Sequence, residues 1–230
     1  MKNLLFVFFI LLTLNLFAQK INTELKAKLD SIMQKDQLMR ELIDTRITEE
    51  RKIEILDNLG LEKEKFYGNS AGDAWGSVYS QDLKNMKDIR QIIKEYGYPG
   101  KTLVGVPTNK ASWYVIQHSD AIEEFFPLIK EAGQKNEISM TLVAIMEDRL
   151  LMQKGLEQKY GTQSYGTKNM NAETGEEEWN YYIWPIKDPE NINSLRKSIG
   201  FTTTVQESAK RLGVVYKAYT LDEFNEIIKK

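Results

Sequence analysis

The single histidine of this chain is the residue best suited to proton transfer. His118 follows the apolar segment 113–117 and precedes Ser119 and Asp120. Because imidazole titrates near neutral pH, any histidine that acts as a general acid or base here is His118. A carboxylate, Asp120 or Asp148, would orient the ring. His118, Asp120 and Asp148 are therefore the candidate catalytic residues, with a hydrogen-bonded structural histidine as the alternative.

Three consecutive charges, Glu147, Asp148 and Arg149, interrupt an apolar segment at 138–154 that has helical spacing. Neighbouring residues of a helix point about 100° apart, so the three cannot share one exposed stripe. Because apolar residues occur on all sides of this helix, at least one charge is expected to face inward. A buried charge needs fixed partners. Asp148 or Arg149 is thus expected either in a structural ion pair or facing a ligand.

The composition excludes several kinds of site. The 230 residues include no Cys and one His, and 31 basic residues against 33 acidic ones give a net charge of −2. The absence of Cys excludes disulfides, a Cys zinc site and a thiol nucleophile, and one His excludes a two-His metal motif. The acidic balance argues against a nucleic-acid surface. We predict no cofactor, no metal site and no nucleic-acid partner.

The N-terminus has the pattern of a secretory signal peptide. A short basic segment, 1–3, precedes the apolar run 4–17, and the small residue Ala18 follows. That order predicts a signal over 1–18 and an exported mature chain, periplasmic or secreted. A retained membrane anchor is the alternative, but the run is shorter than the roughly 20 residues that span a bilayer. No membrane span is expected after cleavage.

The rest of the chain predicts a mainly α (α+β) fold in one domain over 19–230. An aromatic segment with alternating polarity predicts one β-hairpin around 160–187. The glycine-rich segment 60–80 predicts an ordered loop or a short strand pair. Apolar residues recur with helical spacing elsewhere. The predicted helices are 21–43, 47–59, 81–96, 111–118, 121–132, 138–154, 190–199, 205–212 and 221–229.

Several short polar motifs occur in a fixed order along the chain. They are Asp36-Gln37 with Arg40, Gly97-Tyr98-Pro99, Gln117-His118-Ser119-Asp120, Asp148-Arg149, Tyr160-Gly161-Thr162-Gln163, Pro185-Ile186 with Asp188, and Arg196 with Gly200. In this order, over about 36–201, the sequence resembles the bacterial domain-of-unknown-function family 6624. The resemblance implies that these polar residues belong together, and it carries no activity.

That grouping defines the candidate ligand-binding residues, which are Gln117, Arg149, Tyr160, Gln163 and Arg196. Arginine side chains match carboxylate or phosphate, and glutamine both donates and accepts hydrogen bonds. The expected ligand is therefore polar or anionic. The same residues could equally form a closed polar network that joins the hairpin to the helices.

Three functions are consistent with these residues, and the sequence specifies neither a substrate nor an oligomeric state. The favoured one is a non-catalytic ligand-binding or interaction module of the cell envelope, to which the hairpin aromatics also point: Tyr165, Trp179, Tyr181, Tyr182 and Trp184. The alternative is a hydrolase or lyase in which His118 transfers a proton and Arg149 or Arg196 stabilises negative charge. The third is a structural accessory protein.

Overall fold

The computed structural model of the chain describes residues 20–68, 71–170 and 175–229. The segment predicted as a signal peptide, 1–18, lies outside the described residues. The prediction of a cleaved signal therefore stays a prediction.

Within those ranges the chain forms eleven α-helices and one antiparallel hairpin. The helices are α1 (Thr23–Leu42), α2 (Glu49–Leu59), α3 (Lys63–Tyr67), α4 (Ala71–Tyr96), α5 (Lys101–Val104), α6 (Ala111–Gln117), α7 (Ile122–Gln134), α8 (Met140–Gln153), α9 (Ile192–Ser198), α10 (Val205–Arg211) and α11 (Leu221–Ile228), and the strands are β1 (Ser164–Met170) and β2 (Glu177–Ile183). The prediction of a mainly α fold with a hairpin within 160–187 is confirmed.

The helices form where the sequence supplies caps and apolar stripes. The side chain of Asn22 accepts a hydrogen bond from the backbone of Leu25 and so caps α1. Leu25, Leu29 and Ile32 then lie buried on one face of that helix. Gly60 ends α2 in the left-handed conformation, with φ of 63°, as expected for a glycine at a helix end.

The prediction for 60–80 is wrong, because this segment forms α3 and the first part of α4. Ala74 and Val78 are buried, and their helical stripe continues to Met86 and Ile89. The aromatic residues of this segment lie on both sides: Phe66 is buried, whereas Trp75 and Tyr79 are exposed. The helix contains Gly76, whose cost of about 1 kcal/mol relative to alanine is small beside the burial of that stripe.

Three apolar cores hold these elements. The largest joins α1 and α4 to α6, α7 and α8. A second lies between the C-terminal half of α1, α2, α3 and the start of α4. The third packs the end of the hairpin onto α9 and α10, through Ile183, Ile192 and Val205.

The hairpin pairs Ser164 with Ile183 at its base and Met170 with Glu177 near its tip. Beside it, Phe224 of α11 is fully buried and contacts the ring of Trp184 edge-on, with centroids 5.1 Å apart. In the part of the chain that the structure describes, no helix is long and apolar enough to cross a membrane.

Candidate functional site

The polar residues of the sequence motifs divide into two groups, and α8 contributes to both. Asp148 and Arg149 are neighbours on that helix, so their side chains point in different directions. Asp148 is fully buried against the loop before the hairpin, where it accepts a hydrogen bond from the backbone of Lys159. Arg149 is close enough to Arg40 of α1 for the positive charge of Arg40 to affect the pKa of Arg149.

The first group, here called the histidine–arginine cluster, consists of Asp36, Arg40, Asp82, His118 and Arg149. His118 Nδ1 lies 3.4 Å from Asp36 Oδ1. Arg40 Nη2 donates to Asp82 Oδ1 at 2.7 Å and lies 3.5 Å from Asp36 Oδ1. Asp36 and Arg40 of α1, Asp82 of α4 and His118 after α6 thus converge. Arg149 comes from α8, which packs on α6, and is assigned to the cluster because the charge of Arg40 acts on it.

The local sequence explains why these side chains meet. Asp36 and Arg40 are four residues apart and therefore share one face of α1. The same helix packs against α4 and α6. Val115 and Ile116 are buried in the largest core and anchor the end of α6. Beyond His118 the Ser119 hydroxyl donates to the Ile116 carbonyl, which fixes the turn.

One side of the cluster, at Asp36, is buried, and the other side reaches solvent. The side chain of Asp36 is 0% exposed, whereas those of His118, Arg40 and Asp82 are 18%, 22% and 19% exposed. Gln37 Nε2 donates to Asp36 Oδ2 at 2.7 Å, so Asp36 is held on both oxygens. Burial raises the pKa of Asp82, and the hydrogen bond from Arg40 opposes that rise.

Arg149 differs from Arg40 in having no counter-ion. Among the described residues its guanidinium makes no hydrogen bond or ion pair, and its Nε is buried without a partner. Burial lowers the pKa of Arg149, and the nearby charge of Arg40 lowers it further. Both carboxylates of the cluster, Asp36 and Asp82, lie against Arg40. Among the described residues Arg149 therefore has no carboxylate in direct contact, although the four charges of the cluster sum to zero.

The second group, the Asp148 network, closes on itself. The Asp148 carboxylate accepts from the backbone N–H groups of Lys159, Tyr160 and Thr162 at 2.7–3.1 Å. It also accepts from the Thr162 hydroxyl at 2.9 Å. Burial raises the pKa of Asp148, and these donors oppose the rise. The carboxylate acts as a template around which the 159–162 loop folds.

Two glutamines fasten the same loop to the hairpin. Gln158 is fully buried, and its amide donates to the carbonyls of Gln163 and Trp184 at 3.0 and 2.6 Å. Its oxygen accepts from Gln163 N at 2.9 Å. Gln163 Nε2 in turn donates to the carbonyl of Ile145 on α8. Most of their hydrogen bonds are thus to backbone groups, and Gln163 Nε2 also donates to the Thr162 hydroxyl.

Arg196 completes the Asp148 network from α9. This side chain is 1% exposed, and it donates to the Tyr160 carbonyl at 2.6 Å and to the Thr203 carbonyl at 2.9 Å. Its guanidinium lies 4.4 Å from the centre of the Phe201 ring. Gly200, with φ of 98°, lets the chain turn so that Phe201 can reach this position.

The predicted site residues therefore separate. His118 and Arg149 belong to the histidine–arginine cluster, whereas the Asp148 network holds Asp148, Tyr160, Gln163 and Arg196. Gln117 is half-buried at the end of α6. Asp120 is exposed, and its charge adds to the Glu124 hydrogen bond that raises the pKa of Arg90.

Sequence reasoning did not select three members of the cluster: Asp36, Arg40 and Asp82. The carboxylate that contacts His118 is Asp36, 82 residues before it. Asp36 and Arg40 had a usable signal, since they are four residues apart on a predicted helix and belong to the motifs of the resemblance. Asp82 had none, because it is one of many acidic residues on exposed helical faces. No group of three His, Asp or Glu residues that could hold a metal ion occurs in the described ranges.

Comparison with known proteins gives a family and no activity. No curated protein and no solved structure matches the chain. A family model with the description "Family of unknown function (DUF6624)" matches residues 63–221. This range contains His118, Arg149 and the whole Asp148 network, and it begins after Asp36 and Arg40 of α1. Because the match covers more than half of the 230 residues, the chain belongs to the DUF6624 family.

Proposed function

We propose that the protein binds the anionic group of a small polar ligand at the histidine–arginine cluster. The observation that carries the proposal is Arg149, a half-buried arginine whose Nε is buried without a partner and whose guanidinium has no hydrogen bond or ion pair among the described residues. A charge removed from water without a partner costs several kcal/mol. Binding of an anion would offset that cost.

The chemistry of the cluster fits a carboxylate or a phosphate. Guanidinium groups present paired N–H donors that match the oxygens of either anion. Arg40 is already paired with Asp82 at 2.7 Å, so its charge is met within the cluster, whereas Arg149 has its donors free of described partners. His118 turns Nδ1 toward Asp36, which leaves Nε2 as the ring nitrogen for a ligand. Arg149 is thus the primary anion contact.

The test is an NMR titration of the His118 imidazole with inorganic phosphate and, separately, with acetate. Its ring signals need no assignment because the chain has one histidine. We expect a saturable change in the ring shifts with at least one of the two anions, and its loss in Arg149→Gln. Arg46→Gln is the matched control, since the Arg46 side chain is 87% exposed and pairs with Asp44.

An equal response in wild type and Arg149→Gln, or no saturable response to either anion, would contradict the proposal. Circular dichroism of each variant verifies that the fold is retained. The wild-type protein titrated with sodium chloride alone separates binding from a general effect of ionic strength.

The contact between Asp36 and His118 favours a second candidate, a hydrolase or lyase with His118 as general acid or base. In this candidate Asp36 orients the ring and Arg149 stabilises developing negative charge. The sequence also offered Arg196 for that last task, but Arg196 belongs to the Asp148 network, through Tyr160 and Thr203, and not to the cluster that contains His118. Turnover of phosphate or carboxylate esters that disappears in both His118→Gln and Asp36→Asn would support catalysis. Turnover that survives His118→Gln would exclude it.

The structural alternative applies to the Asp148 network, whose polar groups are met by the protein itself. We propose that this network positions α8 and thereby Arg149.

Export remains part of the proposal and is supported by the basic, apolar and small-residue order of segment 1–18. N-terminal sequencing of protein recovered outside the cytoplasm tests it, with a mature chain that begins at Gln19 as the expected result. Full-length protein retained in the cytoplasm would contradict it.

A further inference from the structure

We infer that the cavity between α8, α9 and α10 binds a small carboxylate with an apolar tail, at a site separate from the histidine–arginine cluster. The cavity has a volume of about 370 Å³. Its lining consists of Ile145, Thr162, Arg196, Phe201, Ser208, Arg211 and Leu212. Ligand pockets commonly measure about 300–1,000 Å³, so this one suits a small molecule.

The polar part of the lining favours an anion. It contains two guanidiniums, Arg196 and Arg211, and the hydroxyls of Thr162 and Ser208, but no carboxylate. Two carboxylates outside the lining act on these arginines. Asp148 interacts with Arg196 and is occupied by donors of the 159–162 loop, and Glu207 accepts from Thr204 at the start of α10 and also interacts with Arg211. The lining itself presents two positive charges and no negative one.

Donors remain for a ligand on both arginines. Arg196 uses three of its five N–H groups, on the Tyr160 carbonyl and on the carbonyl and hydroxyl of Thr203. Arg211 is exposed, and its one hydrogen bond to a described residue is a long one of 3.4 Å to the Ser208 hydroxyl. Burial lowers the pKa of Arg196, the charge of Asp148 opposes that fall, and repulsion from the like charge of Arg211 lowers the pKa further. A carboxylate between them would relieve that repulsion.

The remaining wall of the cavity is apolar and favours a ligand with an apolar tail. Ile145, Phe201 and Leu212 supply an aliphatic and aromatic surface, and Leu212 is 52% exposed. An exposed leucine beside a partly apolar cavity would lose water contact when a hydrocarbon chain enters. A ligand with a carboxylate at one end and a short alkyl chain at the other satisfies both parts of the lining.

Two glycines shape the walls of this cavity. Gly161 has φ of 64°, and a Cβ there would lie 2.7 Å from the Val205 side chain. The absence of a side chain thus lets the 159–162 loop approach α10. Gly200 places Phe201 over Arg196, which forms one wall of the cavity. Both turns are built by the motifs that surround Asp148 and Arg196.

The test measures binding of butanoate, hexanoate, octanoate and decanoate to the full chain by isothermal calorimetry, beside the matching alcohols. Affinity should rise with chain length until the tail fills the cavity, and each acid should bind more tightly than its alcohol. Arg211→Gln should weaken octanoate binding about tenfold through loss of a charge-assisted contact. Lys210→Gln, the adjacent exposed cation that does not line the cavity, should leave binding unchanged.

Two further variants address the apolar wall. Ser208→Leu fills the cavity and should abolish binding, and Leu212→Gln removes an exposed part of the wall without filling it and should weaken binding. Arg149→Gln should have no effect, which separates this site from the histidine–arginine cluster. No binding of any acid at millimolar concentration, equal binding of acids and alcohols, or binding indifferent to Arg211→Gln and Leu212→Gln would overturn the inference.

Discussion

At the scale of single residues, Asp148 stabilises the 159–162 loop, a structural role that its neighbour Arg149 does not have. Four donors of the 159–162 loop converge on its two oxygens, and the side chain is fully buried. A carboxylate can accept all four because both of its oxygens are acceptors. A replacement that turns one of these acceptor oxygens into a donor therefore places two N–H donors against each other inside the protein.

Asp148→Asn is therefore expected to lower the free energy of unfolding by about 2–4 kcal/mol, because a buried donor then faces other donors. Urea denaturation followed by circular dichroism measures this change. Asp57→Asn, at an exposed position of α2, is the matched control and should stay within about 0.5 kcal/mol of wild type. A similarly small effect of Asp148→Asn would show that the network is not needed for folding.

The raised pKa of Asp82 leads us to expect that anion binding by the histidine–arginine cluster depends on pH. Burial raises the pKa of Asp82 above its ordinary 3.8, so the folded protein takes up this proton at a higher pH than an exposed aspartate would. Protonation removes one negative charge beside Arg40, so the cluster becomes more positive. We expect sulfate, which stays a dianion, to bind more tightly as the pH falls toward that pKa.

The measurement uses the His118→Gln background, so that imidazole protonation does not contribute. The other charged groups that face Asp82 are Arg40 and Asp36, and Asp36 lies deeper in the protein. Asp82→Asn in the same background should bind sulfate tightly throughout and lose this pH dependence. An unchanged pH dependence in Asp82→Asn would assign the effect to another group.

At the scale of elements, the loop before the hairpin depends on close approach at Gly161. Gly161 and Gly155 have nearly the same left-handed φ, 64° and 67°. A Cβ at Gly161 would lie 2.7 Å from Val205 and 2.9 Å from Ile186, whereas nothing lies within 4 Å at Gly155. Alanine substitutions at these two glycines therefore separate the energetic cost of backbone strain from that of a steric clash.

Gly155→Ala is expected to cost about 1–2 kcal/mol, the penalty of a left-handed conformation for alanine. Gly161→Ala should cost about 1–3 kcal/mol more, because the loop and α10 must also move apart. Thermal or urea unfolding of both variants measures the difference. Equal destabilisation would mean that the loop and α10 separate freely, and the packing described for Gly161 would be incorrect.

Periodicity predicts most of the elements, and it fails where glycine and aromatic residues coincide. The helices from α6 to α8 and the hairpin follow their apolar patterns closely. The start of α4 does not, because Gly76 is typical of turns and Trp75 and Tyr79 are typical of strands. The deciding signal is the buried spacing of Ala74 and Val78, which is weak in the sequence because alanine is a small part of an apolar stripe.

The site is predictable only in part for a related reason. His118, Asp148 and Arg149 are conspicuous in the sequence because each interrupts an apolar segment. Which carboxylate meets His118 depends on how α1 packs on α6, a contact between positions 82 residues apart. No local pattern specifies it. The division of Asp148 and Arg149 between two groups likewise follows from the loop that wraps α8, which the sequence does not place.

At the scale of the whole molecule, the two polar groups have different tasks. The Asp148 network fastens the hairpin, α9 and their apolar core to α8. The histidine–arginine cluster lies between helices of the largest core and has a side that reaches solvent. α8 carries one residue of each and so connects the Asp148 network to a site whose Arg149 has no direct partner among the described residues.

Arg149 and Arg196 are expected to contribute differently to the stability of the free protein. A residue retained for binding is not expected to stabilise the free protein, and an unpaired buried charge is expected to destabilise it. Arg196 has partners on the backbone, whereas Arg149 has none among the described residues. Methionine preserves much of the aliphatic stem and removes the charge in both cases.

The most direct test is therefore the free energy of unfolding of Arg149→Met beside that of Arg196→Met, measured without added anion. We predict that Arg149→Met leaves stability unchanged or raises it by about 1–2 kcal/mol. Arg196→Met should lower it by about 3 kcal/mol, because buried carbonyls lose their donors. A loss of 2 kcal/mol or more in Arg149→Met, similar to that in Arg196→Met, would show that Arg149 stabilises the free protein and would contradict the proposed anion site.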